Sequence, residues 1–282
     1  PGVRVIPYKG YIGCSWLADP DRRAAQVDAM VATVEALGAD GFQLDMECST
    51  IDDRDAEPFR ALLAEIAAAL GPERTFSVAI PIVSQQVEDF PEDSYGDAPW
   101  LGFQTSLENP RGSSRQPQVF DAAFEHADQV TIMVYDTWYR RAQVDQYEHL
   151  IAGQSWIGAW YAARHGTPEF LPGIRFSVHE ESKPDGGVYH RHEVENPRTA
   201  WQGISSVLDQ PVGDGATVRD HLTGLAAFRL DLELAPGQPS EIGQTYLDGL
   251  RDALLAAGAV PTLLHRPEGQ PTSKPMPDPL GE

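Results

Sequence analysis

The chain has 282 residues, 41% hydrophobic and 22% charged, the balance of a globular protein with a substantial core. Its 21 basic and 42 acidic residues give a formal charge of −21, which repels phosphate backbones and anionic lipid, so neither nucleic acid nor a membrane is an expected partner. No run approaches the roughly 18 apolar residues of a membrane span, and two cysteines, Cys14 and Cys48, are too few for a disulfide-rich scaffold or a cysteine-only zinc site.

Short β-rich runs alternate with helical segments, the pattern of parallel βα units. The first run is predicted over Val3 to Tyr8. A helix follows over Asp21 to Leu37, with Val27, Met30, Val31, Val34 and Leu37 at helical spacing and Gly38 to end it. The second run, Gly41 to Glu47, leads into a helix over Asp55 to Leu70 that stops at Gly71-Pro72. Thr75 to Ile82 is the third run. The acidic, proline-rich and glycine-rich stretch from Ser84 to Pro117 reads as a loop with function, because βα units flank it on both sides. A helix over Pro117 to Ala127 precedes the fourth run, Gln129 to Asp136, and Ile174 to His179 is the fifth. Lys183 to Pro197 is a second functional loop. Helices over Thr199 to Leu208 and Glu241 to Ala257 flank the last run, Leu222 to Leu232. Residues 263–282 form a poorly ordered proline-rich tail, which leaves residues 1–262 as one domain.

Six runs are two short of the eight that close a barrel. The expected fold is therefore α/β, a TIM (β/α)8-type barrel lacking its first two strands in this chain. A preceding segment of a longer protein is expected to cover the open edges beside the Val3 and Leu222 runs.

The chemistry concentrates on the second run. Side chains alternate along a strand, so Phe42, Leu44 and Met46 face covering helices while Gln43, Asp45 and Glu47 face the interior. Such a polar row is costly unless it is hydrogen-bonded or does chemistry. Glu47 falls at the carboxyl end of the strand, where barrel active sites form. Asp45, two residues earlier on the same face, raises the pKa of Glu47 by like-charge repulsion, as a general acid near neutral pH requires.

Asp40, Gly41, Asp45 and Glu47 resemble the Asp-Gly-x-Asp-x-Asp-x-Glu signature of family 18 (chitinase-like) glycoside hydrolases, with Gln43 where that family has a further aspartate. Met133-Val134-Tyr135-Asp136 resembles the family's Met-x-Tyr-Asp signature on a later strand. Gly224 to Phe228 resembles its last strand, with Phe228 in place of a tryptophan. The resemblance implies a retaining glycosidase that uses substrate assistance on N-acetylglucosamine-containing glycans, whether chitin-like, peptidoglycan or N-glycan. It implies Glu47 as acid and base, Asp45 as stabiliser of the substrate's acetamido nitrogen, and Tyr135 as hydrogen-bond donor to the acetamido oxygen. Asp136, Gln43, Met133, Trp138, Phe228 and His179 are the implied substrate-binding residues, and neither metal nor organic cofactor is implied. The implied partner is a glycan, and a secreted or cell-surface location is favoured over the cytoplasm. Gln43 and Phe228 keep open a catalytically silent carbohydrate-binding protein of the same kind, and an unrelated barrel glycosidase is the remaining alternative.

His190, His192 and Glu193, with His179 and Glu181 upstream, offer a conceivable metal site, but the polar segment around them favours a solvated surface. Trp156 and Trp160, four residues apart, read either as sugar platforms or as one face of a helix in the core. Cys14 and Cys48 follow what the resemblance makes neighbouring strands, so they are expected close together on the catalytic side.

Overall fold

A computed structural model describes residues 4–11, 14–46, 55–82, 117–137, 143–167, 169–175 and 191–228. In chain order the elements are β1 (Tyr8–Tyr11), α1 (Pro20–Leu37), β2 (Gly41–Met46), α2 (Ala56–Leu70), β3 (Thr75–Pro81) and α3 (Pro117–His126). They continue as β4 (Gln129–Met133), α4 (Val144–His165), β5 (Glu169–Arg175), α5 (Pro197–Val207), β6 (Pro211–Gly213), β7 (Ala216–Thr217), α6 (Val218–His221) and β8 (Ala226–Phe228). Six strands form one sheet in the order β1-β2-β3-β4-β5-β8, and every neighbouring pair is parallel. The expected α/β barrel-type architecture is present, with no strand on the outer edges of β1 and β8 among the described residues.

The sheet curls. Strands β1 and β5 are four positions apart, which in a flat sheet is roughly 19 Å. Arg4, just before β1, nevertheless bonds Glu169 at the start of β5 at 2.8 Å and Thr75 at the start of β3 at 2.9 Å. A flat sheet puts those groups farther apart than an arginine side chain reaches.

Helices α1 to α5 cover the outside. Phe42, Leu44 and Met46 of β2, Phe76, Val78 and Ile80 of β3, and Val130 and Ile132 of β4 all pack into this layer at 2% exposure or less. Asp19 caps α1 by accepting from the backbone of Asp21 and Arg22, and Gly38 ends it in the left-handed conformation at φ 58°.

Two predicted strands shift. Pairing begins at Tyr8 instead of Val3, because residues 4–7 bond the approach to β2 irregularly and Pro7 has no N–H to offer a ladder. The fifth run lies at Glu169–Arg175, ahead of the predicted Ile174 to His179. Pro172 and Gly173 inside it look like strand breakers, yet Gly173 suits a tight position: a Cβ would lie 3.0 Å from the Ile132 carbonyl oxygen and from the Thr131 methyl. Helix α4 was not among the predicted helices. It is buried on nearly every side, with Leu150, Ile151, Trp156 and Ile157 at 4% exposure or less, and even Gln154 and Ser155 are fully covered, so no amphipathic stripe marks it. The predicted helix over Glu241 to Ala257, the tail, and the loop predicted over Ser84 to Pro117, apart from Pro117 itself, lie outside the described residues.

Candidate active site

The carboxyl ends of the strands surround a cavity of about 610 Å³. Gln43 and Asp45 line it from β2, whose other face is packed under helices, as strand alternation requires. Thr131, Met133 and Tyr135 line it from β4 and the residues just beyond. The space exists because the facing positions are small: Ala79 on β3, Gly173 on β5 and Ala226 on β8. Tyr8 and Phe228, on the two edge strands, line the same cavity, a second consequence of the curl. Asp45 faces Gly10 in register, where a Cβ would meet Asp45 Oδ2 at 3.6 Å, so the carboxylate occupies room that a side chain on β1 would share.

Beyond β4 the chain turns sharply. Asp136 takes φ 56°, a left-handed conformation that costs a non-glycine residue roughly 1–2 kcal/mol. Three side chains hold it. The Glu195 carboxylate, 1% exposed, accepts from the Asp136 N–H at 2.7 Å, the Thr137 N–H at 3.0 Å and the Thr137 hydroxyl at 2.7 Å. Arg175, fully buried on β5, donates to Asp136 Oδ1 at 2.5 Å. The Tyr147 hydroxyl on α4 donates to the Val134 carbonyl at 3.0 Å. Burial, then the charges of Glu195 and Asp136, hold the Tyr147 phenol well above its usual pKa, so it keeps the proton it donates. Tyr135, between these anchors, points into the cavity, where its ring stacks on Phe228 with centroids 4.5 Å apart and planes 1° apart. The Arg175 guanidinium lies 5.4 Å from the Phe228 ring centroid, within cation–π range.

The cavity thus brings together Asp45, Gln43, Met133, Tyr135 and Phe228 of the predicted site residues. Asp136 is not part of its lining; its carboxylate faces Arg175. Glu47, Trp138 and His179 lie outside the described residues. Sequence reading missed Arg175, Glu195 and Tyr147. The one local signal was Asn196-Pro197: Asn196 accepts from the backbone of Arg198 and Thr199 and so starts α5, which fixes the direction of the residue before it.

Trp156 is fully buried and donates to the Pro211 carbonyl at 2.8 Å, while Trp160 packs edge-on against Tyr161, so both belong to the helical layer. No cluster of three or more metal-ligating side chains occurs among the described residues, and no described helix is long and apolar enough to cross a membrane. Cys14 is buried and disulfide-bonded; Cys48, the other cysteine of the sequence, lies outside the described residues.

No protein-family model and no curated protein sequence matches the chain. Among solved structures it is similar to the spore cortex-lytic enzyme SleL of Bacillus cereus, at 14% identity and a TM-score of 0.39 over 61% of this chain and 36% of that one. It is similar to a class V chitinase of Pseudomonas fluorescens, at 13% identity and a TM-score of 0.47 over 85% and 74%. It is also similar to a chitinase of Rhizomucor miehei, at 15% identity and a TM-score of 0.48 over 88% and 82%. The chain therefore spans about a third of the length of the first of these structures.

Proposed function

We propose that the chain is a glycoside hydrolase for N-acetylglucosamine-containing glycans, retaining in stereochemistry and assisted by the substrate's own acetamido group. The observation that carries this reading is the meeting of Asp45 and Tyr135, from strands two positions apart, in one cavity at the carboxyl end of a parallel sheet. Both belong to motifs that resemble the signatures of family 18 glycoside hydrolases.

In this reading Glu47, the last residue of the motif that holds Asp45, protonates the leaving glycosidic oxygen. The acetamido oxygen attacks the anomeric carbon as that bond breaks. Positive charge develops on the acetamido nitrogen, and the Asp45 carboxylate stabilises it. The Tyr135 hydroxyl donates to the acetamido oxygen and holds it in attack geometry. Glu47, now a carboxylate, takes a proton from the water that opens the intermediate. The groups this mechanism uses are side chains, the substrate and one water molecule. Residues 1–262 form the catalytic unit in this proposal.

A second reading, a sugar-binding protein without turnover, is favoured by one observation: Gln43, in the lining of the cavity, stands where the resembled signature has an aspartate. Incubation with chitooligosaccharides separates the two. Shorter oligomers released with retained anomeric configuration, followed by NMR, support the hydrolase. Saturable binding without release supports the second reading.

A further inference from the structure

Below Asp45 the interior carries a polar row in register on four neighbouring strands: Gln43, Ser77, Gln129 and Glu169. Gln43 Nε2 donates to the Ser77 hydroxyl oxygen at 3.3 Å, Ser77 donates to Gln129 Oε1 at 2.9 Å, and Gln129 Nε2 donates to Glu169 Oε2 at 2.6 Å. At the far end Arg4 donates to both Glu169 oxygens, at 2.8 and 3.0 Å.

Each link has one permitted direction. The Glu169 carboxylate, held by the Arg4 guanidinium, only accepts. Gln129 must turn its NH2 toward Glu169, which leaves its carbonyl oxygen for Ser77. A carbonyl only accepts, so the Ser77 hydroxyl donates to it and keeps an oxygen lone pair for Gln43. Gln43 spends its NH2 on Ser77, so its carbonyl oxygen is turned away from the row. Of these four residues only Gln43 lines the cavity.

We propose that Glu169 is a positioning residue for the cavity floor. Acting through Gln129 and Ser77, it fixes the Gln43 amide with Oε1 toward the ligand. The floor then accepts a hydrogen bond from a hydroxyl or amide N–H and disfavours any ligand group that can only accept. The inference rests on the reading of the cavity as a glycan site and deepens it: a sugar fits if it presents a donor to Gln43.

The test is to reverse the row. In Glu169→Gln, Arg4 takes the amide oxygen, so the NH2 faces Gln129. Every link then turns over, and Gln43 ends with its NH2 toward the ligand. The links of the row are remade, and only a partly exposed ion pair and one of its two Arg4 bonds are lost, so Tm stays within about 2 °C of wild type. Affinity for tri-N-acetylchitotriose falls about tenfold or more, because a donor now meets a donor. In Gln43→Glu the carboxylate cannot donate to Ser77, and Tm falls by about 3–6 °C. The same substitution in the Glu169→Gln background meets a Ser77 that donates toward it, and costs less than about 2 °C. Repulsion from Asp45 acts in both backgrounds and cancels in the cycle.

Thermal unfolding of the four proteins and calorimetric titration with the trisaccharide decide the matter. Coupling between positions 43 and 169, which do not touch, supports the relay; additive losses of Tm overturn it. Weakened trisaccharide binding by Glu169→Gln at nearly unchanged Tm supports the orientation of Gln43, and unchanged binding overturns it. A wild-type protein that does not bind the trisaccharide sinks the glycan reading, while the thermal cycle still decides the relay.

Discussion

The ring of Tyr135 lies flat against that of Phe228, with centroids 4.5 Å apart and planes 1° apart. This contact joins the end of β4 to the edge strand β8 across Gly173, whose missing side chain leaves the space between them. Phe228 thus fixes the ring whose hydroxyl the proposed mechanism uses. An aromatic pair of this kind contributes about 0.5–1.5 kcal/mol beyond the area it buries. In Phe228→Ala, kcat/KM for chitooligosaccharides is expected to fall roughly 10²-fold, because Tyr135 loses its near-attack placement. Steady-state kinetics at matched protein concentration checks this, and unchanged kcat/KM contradicts it.

Glu195 holds the turn that carries Tyr135. In Glu195→Gln one of the two oxygens becomes an NH2 facing N–H donors, inside a site where the side chain is 1% exposed. A buried donor without an acceptor costs about 1–3 kcal/mol. Denaturant unfolding is expected to show a loss of that size, and a loss below about 0.5 kcal/mol, the ordinary range of surface substitutions, contradicts the clamp.

His126 at the end of α3 gives the fold a pH dependence with a definite sign. Burial first, then the charges of Arg60 and His165, lower its pKa from the ordinary value of 6.5. The fold therefore favours the neutral ring. That contribution is complete above the unfolded-state pKa and is lost as pH falls through the lower folded-state value. His126→Gln is expected to lose less Tm than wild type between about pH 7.5 and pH 5. An equal or larger loss in the variant, measured by thermal scans across that range, contradicts the assignment.

The pattern of β2 was readable in the sequence because alternation is local: Phe42, Leu44 and Met46 are apolar and Gln43 and Asp45 are not. Helix α1 was readable for the same reason, from its apolar spacing and Gly38. Strand β5 was not, because the close approach of β4 at Gly173 leaves no local mark. Helix α4 was not, because a helix covered on nearly every side loses the periodicity that identifies it. Among the site residues, Asp45 and Tyr135 stood in recognisable motifs. Glu195 and Arg175 did not, since each matters only through Asp136, 59 and 39 residues away along the chain. The polarity of the Gln43 row likewise depends on four strands and Arg4 together, so no one segment discloses it.

The account turns on Glu47 as the general acid. The most direct test is the turnover of a chromogenic N-acetylglucosaminide or a chitooligosaccharide by wild type and by Glu47→Gln, side by side with trisaccharide binding. Glutamine is nearly isosteric but delivers no proton. The expected result is hydrolysis by wild type, a loss of about 10²–10⁴-fold in the variant, and binding retained by both. A variant that keeps more than about a tenth of wild-type turnover, measured on folded protein, contradicts the assignment of Glu47 and the mechanism built on it.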